Sequence, residues 1–266
     1  MVLVDFTFLF HQAGIFKMIN NKRMKTKRLL KNSIFLVFAG IAAVSCNDVE
    51  EKLEVLTDVY VINKDFDGEV KSATAYYAYA NKSLMSATVA IPNDGGNIEL
   101  EAQAGSNFNF GKEPENSDFT STAPVEGSYA FTVKDMDGET QVVTDALSYD
   151  GLAVPQFSKI NFTGSPITLE TEWNAVPETD GYFIKMYNTS GKLIFSGYSV
   201  ASNVLKYTVT TSTSSGYWSE AAVEGQTYLL QINAFTNDAE ANSTNAAYNI
   251  QEISVGESQI TWGTNN

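Results

Sequence analysis

Residues 127–138 read GSYAFTVKDMDG, and this stretch decides the fold class. Tyr129, Phe131 and Val133 alternate with smaller or polar residues, which is the pattern of a strand that is buried on one face only. The Asp-Gly pair at the end of the stretch is typical of a tight hairpin turn. The stretch therefore predicts a half-buried strand that leads into a β-hairpin.

The same alternation recurs along the chain from Val55 onward. Ile98, Leu100 and Ala102 alternate with acidic or amide residues. Turn signals recur at roughly the 8–12-residue spacing of an all-β sandwich or barrel, and no long stretch has a helical period. The clearest turn signals are Asp67-Gly68, the run from Asn93 to Gly96, Asp137-Gly138 and Ser190-Gly191. We therefore expect an all-β protein built of antiparallel sandwiches.

The region before this β-rich part has the pattern of an export signal. Residues 24–45 begin with a basic segment and continue with an apolar run from Ile34 to Val44, which is too short to span a bilayer. The run ends at Cys46. The residues from Ala43 to Cys46 (AVSC) resemble a lipobox, the processing and lipidation motif of bacterial lipoproteins, although Ala43 stands where Leu is usual and Val44 where a small residue is usual. The resemblance implies acylation of Cys46; a plain signal peptide followed by a chance Cys is the alternative.

The flanking residues extend this interpretation. We interpret residues 1–23 as the product of an upstream start site. Residues 46–54 form an acidic tether that resembles the short signal which sends some lipoproteins to the cell surface, with a solvated linker as the alternative. The expected location is the outer membrane, facing either the periplasm or the outside.

A boundary between two modules is expected near residue 150, where Tyr149-Asp150-Gly151 leads into Val154-Pro155. This places a first module at residues 55–150 and a second at 151–266. The first module resembles an immunoglobulin-like domain, on the strand and hairpin of residues 127–138.

The second module resembles a fibronectin type III domain in three segments. Residues 167–173 (ITLETEW) resemble its B strand with the core Trp, and residues 181–187 (GYFIKMY) resemble its C strand. Residues 223–228 (VEGQTY) resemble the turn and tyrosine corner before the F strand. The resemblance implies a fold and no activity, because this sandwich carries many unrelated functions.

Composition excludes several kinds of function. The chain carries 17 basic and 31 acidic residues, and the part from Cys46 onward has 10 Lys, no Arg and 30 acids, a formal charge of −20. Nucleic acid is therefore not an expected partner. Cys46 is the only Cys and His11 the only His, so neither a disulfide framework nor a His-dependent catalytic site is expected after processing. We predict a non-enzymatic protein with no cofactor and no metal site.

One segment partly imitates a calcium-binding loop. Asn63, Asp65 and Asp67 alternate before Gly68, as in the first half of such a loop, but its twelfth position is Thr74 instead of a bidentate Glu. A β-hairpin turn is the favoured interpretation, and a loose Ca²⁺ site between loops is the alternative.

Two sets of aromatic residues are candidates for a ligand or interface surface. If the alternate residues of the C and F strands form the core, then Phe183, Tyr187 and Phe235 share the opposite face. That face could pack against the first module or another subunit, bind sugar rings, or be ordinary surface. Tyr217 and Trp218 form a second candidate platform, for which a plug that closes the end of the sandwich is the favoured alternative.

These features together predict a non-enzymatic lipoprotein of the cell envelope. The most specific hypothesis is an accessory glycan-binding or adhesion module, whose partner is a polysaccharide or a surface protein. This hypothesis depends on resemblance to surface lipoproteins of polysaccharide-uptake systems. The alternative is a structural subunit that docks on an outer-membrane or surface-layer partner.

Overall fold

A computed structural model of the chain describes residues 51–93, 95–103, 105–239, 241 and 249–265. These residues form sixteen β-strands and two single-turn 3₁₀ segments, with no α-helix. The predicted all-β class is therefore confirmed. No helix long and apolar enough to cross a membrane occurs in this part of the chain. The predicted signal peptide, Cys46 and His11 lie outside the described residues.

The N-terminal half, residues 51–150, contributes seven strands. They are β1 (Val55–Phe66), β2 (Glu69–Ala80), β3 (Leu84–Ala90), β4 (Asn97–Ala102), β5 (Asn109–Lys112), β6 (Gly127–Asp135) and β7 (Thr140–Leu147). The stretch at 127–138 forms β6 and its turn into β7, and Tyr129, Phe131 and Val133 are buried as the alternation predicts. Strand β4 pairs with both β3 and β5, so the sheet continues from one layer into the other.

The C-terminal half, residues 151–265, contributes nine strands. They are β8 (Phe157–Thr163), β9 (Thr168–Trp173), β10 (Gly181–Asn188), β11 (Leu193–Gly197), β12 (Val200–Ala201), β13 (Lys206–Val209), β14 (Gly216–Trp218), β15 (Thr227–Asn237) and β16 (Ile250–Thr261). Three of them form a separate sheet in the order β13-β9-β8. The predicted B, C and F strands correspond to β9, β10 and β15. The Tyr228 hydroxyl accepts the Val223 amide at 2.8 Å, which is the expected tyrosine corner.

The two halves share one continuous sheet. Its strand order is β14-β11-β10-β15-β16-β1-β2-β5-β4-β3-β6-β7, with β12 added beside β10. The join is a parallel pair between β1 and β16, in which Val61 is opposite Glu252 and Lys64 is opposite Val255. Because this pair is made by backbone hydrogen bonds, the halves are connected through the sheet as well as through the chain.

Three apolar clusters form among the residues that the structure describes. One lies in the C-terminal half between its two sheets, around Leu169, Trp173 and Ile232. A second lies in the N-terminal half, around Val59 and Phe131. The third takes residues from both halves, including Tyr60, Tyr77, Phe183 and Ile253. The third cluster and the parallel strand pair together make the joint between the halves.

Candidate functional site

The joint contains a buried carboxylate that holds the connection between the halves. Glu252 on β16 is 1% exposed. Its Oε1 accepts the amides of Asp150 and Gly151, at 2.6 and 3.1 Å. Its Oε2 accepts the amide of Leu152 at 2.8 Å and the side-chain amide of Asn63 at 3.0 Å. Four donors therefore converge on one carboxylate, and three of them belong to the connection at residues 150–152.

A chain of polar side chains extends from this carboxylate across the joint. The Asn63 amide also donates to Ser254 Oγ, and Ser254 Oγ donates to the Leu152 carbonyl at 2.5 Å. On the other side, the Ser72 hydroxyl donates to Asn63 Oδ1 and lies 3.0 Å from the Tyr149 hydroxyl. Asn63, Ser72 and Ser254 are all buried. Buried polar groups that are fully hydrogen-bonded to one another rigidify the elements that carry them. This network therefore holds β1, β2 and β16 and the connection at residues 149–152 in one arrangement.

Asn63 therefore belongs to the joint rather than to a calcium loop. The hairpin of β1 and β2 turns at Asp67 and Gly68, whose φ angles are 57° and 90°, as a two-residue hairpin turn requires. Asp65 accepts the Gly68 amide through Oδ1 at 2.6 Å. Asn63 is therefore not available to a loose Ca²⁺ site in this turn, because its side chain is hydrogen-bonded within the joint.

The face that carries Phe183 and Tyr187 is buried. Phe183 is 6% exposed, Tyr187 is 1% exposed, and Phe235 is half-buried with its ring 5.9 Å from that of Phe183. Phe183 belongs to the cluster that contains Tyr60 and Tyr77 of the N-terminal half. Neither Phe183 nor Tyr187 presents a ring face to solvent. Of the interpretations offered for this face, packing against the first module is the one that agrees with this burial.

The second candidate platform is divided between a buried and an exposed ring. Trp218 is half-buried; its ring lies 4.6 Å from that of Phe195 and 5.9 Å from that of Trp262, and its Nε1 donates to the Thr210 carbonyl at 2.9 Å. These contacts are those of a plug at the end of the sandwich. Tyr217 is 38% exposed on β14, the last strand of the large sheet.

A neighbouring exposed tyrosine was missed at the level of the sequence. Tyr198 is 59% exposed, and it follows by two residues Ser196, the cross-strand partner of Tyr217. Tyr198 itself lies just beyond the end of β11. Its hydroxyl donates to the Thr213 carbonyl at 3.2 Å. The local sequence Ser196-Gly197-Tyr198 has no pattern that would have marked this tyrosine as exposed.

A cluster of three carboxylates was also missed. Asp58 on β1, Asp145 on β7 and Asp238 after β15 each place one oxygen within 4.8 Å of the others. Burial raises the pKa of Asp58 well above its usual value, and the charges of Asp145 and Asp238 raise it further. The sequence gives no sign of this cluster, because the three residues are separated by 87 and 93 positions.

Comparisons with known proteins give remote likenesses only. No family model and no curated protein matches the sequence. The chain is similar to the structure of a DUF3823 family protein from Bacteroides uniformis, with 10% identity and a TM-score of 0.31 over 79% of this chain and 100% of that one. It is also similar to a segment of two fibronectin type III domains from chicken tenascin, with 13% identity and a TM-score of 0.26 over 75% of this chain and 98% of that one.

A third similar structure concerns host cell surface retention of a bacterial ice-binding adhesin. It has 13% identity and a TM-score of 0.25, over 80% of this chain. The present chain spans 65% of the length of that structure. The all-β class of this protein is established by its own strand pairing.

Proposed function

We propose that this protein is a non-enzymatic, lipid-anchored module that displays a glycan-binding surface at the cell envelope. The anchor is the acylated Cys46, and the binding surface is the pair of exposed tyrosines at residues 198 and 217. The observation that carries the proposal is this pair, because each side chain is more than a third exposed. Tyr217 lies on β14 at the edge of the large sheet, and Tyr198 directly follows the neighbouring strand β11. Tyrosine rings offer apolar faces to sugar rings, and their hydroxyls bond to sugar hydroxyls.

The strand register supports a presenting role. Val55 begins β1 near the tether, and Ile62 is level with Ile253 on β16. Across the paired strands β14, β11, β10, β15 and β16, Tyr217 is in the same cross-strand row as Glu257. Glu257 lies four positions beyond Ile253 along β16. At about 3.3 Å per residue, this row lies roughly 35 Å from the start of β1 when measured along the strands. The sheet between them is continuous, so it supports Tyr217 at a fixed position relative to the start of β1.

Charge narrows the expected ligand. The chain from Cys46 onward has a formal charge of −20. Anionic polymers are repelled by such a surface, whereas neutral ones are not. We therefore expect an uncharged polysaccharide.

Affinity electrophoresis tests the glycan surface. The chain from residue 47 onward is run through native gels that contain neutral or anionic soluble polysaccharides. We expect at least one neutral polymer to retard the protein, and Tyr198→Ala and Tyr217→Ala each to weaken the retardation at least threefold. Phe108→Ala is the matched control, because Phe108 is a 45% exposed aromatic residue in the other half. Free migration through every polymer would refute glycan binding.

A separate labelling experiment tests the anchor. Cells that express the full chain are given radioactive palmitate, and the protein is isolated. Labelling should be lost in Cys46→Ala, because this is the only thiol in the chain. Continued labelling of the variant would refute anchoring through Cys46 and leave the glycan surface untouched.

The alternative of a structural subunit has less support. It required the face of Phe183, Tyr187 and Phe235 to be available to a partner, and Phe183 and Tyr187 are buried within the chain.

A further inference from the structure

The three carboxylates of Asp58, Asp145 and Asp238 come from three parts of the fold. Asp58 lies on β1 and Asp145 on β7, and both belong to the N-terminal half. Asp238 follows β15 in the C-terminal half, where its amide donates to the Asn249 carbonyl just before β16. Two backbone amides fix the Asp145 carboxylate, those of Val59 at 2.7 Å and Ala146 at 2.9 Å. The cluster therefore spans the joint between the halves.

Asp58 provides a separate indication of a ligand. Asp58 is 1% exposed, and its Oδ1 accepts the backbone amide of Ile250 at 3.2 Å. Its second oxygen, Oδ2, accepts no hydrogen bond from any described residue. Among the ion pairs formed in the described part of the chain, none includes Asp58. A buried carboxylate with an unused oxygen, facing two more carboxylates, lacks the positive charge that burial of an anion requires.

We propose that Asp58, Asp145 and Asp238 bind one Ca²⁺ ion. All three donors are hard carboxylate oxygens, which Ca²⁺ prefers. Ca²⁺–oxygen distances of about 2.3–2.6 Å allow two ligand oxygens to be up to roughly 5 Å apart across the ion. One oxygen of each carboxylate lies within 4.8 Å of the others, so a single ion of this size can contact all three. Mg²⁺ suits such a cluster less well, because it demands near-ideal octahedral geometry and usually retains several waters.

The position of the ion implies what it does. It would cross-link β1, β7 and the end of β15, beside the parallel pair of β1 and β16. Sites in extracellular modules commonly bind Ca²⁺ with dissociation constants of about 10⁻⁴–10⁻³ M. The joint would then be stiffest where calcium is millimolar, as it is outside many cells. This inference is independent of glycan binding.

Calcium-dependent stability and direct binding test the site. The full chain is purified in detergent, stripped with EDTA, and melted with and without 5 mM CaCl₂ while the far-UV circular dichroism is recorded. We expect Ca²⁺ to raise the Tm by about 5 °C. Equilibrium dialysis with radioactive Ca²⁺ should give about one ion per chain at a weak site of this kind.

Single substitutions locate the binding. Asp145→Asn and Asp238→Asn should each abolish the rise in Tm and lower the affinity at least tenfold. Asp58→Asn should also abolish the response, and should raise the Tm in EDTA, because it removes a carboxyl group that is buried facing two other carboxylates. Asp67→Asn is the matched control, since Asp67 is exposed in the β1–β2 turn, and it should respond as the unmodified chain does.

Three results would overturn the proposal. The first is the absence of both bound Ca²⁺ and a rise in Tm. The second is a rise that persists in the Asp145→Asn and Asp238→Asn variants, which would place the ion elsewhere. The third is an equal response to Mg²⁺ at the same concentration, which would contradict the choice of cation.

Discussion

Replacing Glu252 by Gln should destabilise the whole protein. The substitution preserves the size of the side chain and exchanges one carboxylate oxygen for an NH₂ group. Each carboxylate oxygen accepts two hydrogen bonds in the joint, so two donors lose their acceptor whichever way the new amide is oriented. The two donors would then face an NH₂ group in a buried position.

The expected cost follows from these lost bonds. A hydrogen bond to a charged group contributes about 1.5–3 kcal/mol to stability. Two lost bonds therefore lower the free energy of unfolding by at least about 3 kcal/mol. For a chain of this size, a loss of that magnitude lowers the Tm by roughly 10 °C.

Urea unfolding followed with two probes measures this effect. Trp173, Trp218 and Trp262 are the only tryptophans and all lie in the C-terminal half, so their fluorescence reports on that half. Far-UV circular dichroism reports on both halves. Because the halves share a sheet, the two transitions should coincide in the unmodified chain, and both should move to lower urea in Glu252→Gln.

Glu99→Gln makes the same chemical change on the exposed face of β4 and should alter stability by less than about 0.5 kcal/mol. If Glu252→Gln lost less than about 1 kcal/mol, the carboxylate would not be holding the connection as described. Separate transitions in the unmodified chain would show that the halves unfold independently.

Two further predictions follow from the packing and the charges. Gly256→Ala should lower the free energy of unfolding, measured in urea, by about 2 kcal/mol or more, because the added methyl group overlaps the Pro155 carbonyl oxygen. Gln259→Ala is the control, since Gln259 is exposed on the same strand, and it should leave stability unchanged. An unchanged stability in Gly256→Ala would contradict the close contact of β16 with the connection. Burial raises the pKa of Asp135, but the amides of Glu139 and Asp137 and the Lys82 ammonium together lower it below 3.8. The stability contributed by that carboxylate is thus present above pH 3.8, its unfolded-state pKa, and lost as the pH falls through the lower folded-state pKa. The advantage of the unmodified chain over Lys82→Gln in urea unfolding should therefore be constant from neutral pH to about pH 5 and decrease in acid. An advantage that did not decrease on acidification would refute the pairing.

Much of the fold could be predicted from local sequence. The alternation of Tyr129, Phe131 and Val133, the Asp-Gly turns and the tyrosine-corner motif at residues 223–228 each depend on neighbours a few positions away. Side-chain period and turn chemistry are local properties of the backbone, so they can be recognised without any tertiary information. The plug formed by Trp218 was likewise the favoured prediction.

The joint could not be predicted in this way. The parallel pairing of β1 with β16 brings together residues about 190 positions apart, and no local pattern encodes it. Glu252 alternates in its strand like a solvent-facing residue, and only the approach of residues 150–152 buries it. The same pairing buries Phe183 and Tyr187, which sequence alone left open to three interpretations.

The sequence by itself thus determined the strands, their turns, the acidic charge and the export pattern that ends at Cys46. Only the tertiary structure decided which sheet faces are exposed, that Tyr198 accompanies Tyr217, and that Asp58, Asp145 and Asp238 meet. The physical reason is that strand formation depends on contacts within a few residues, whereas burial and the meeting of charges depend on which distant strands pair.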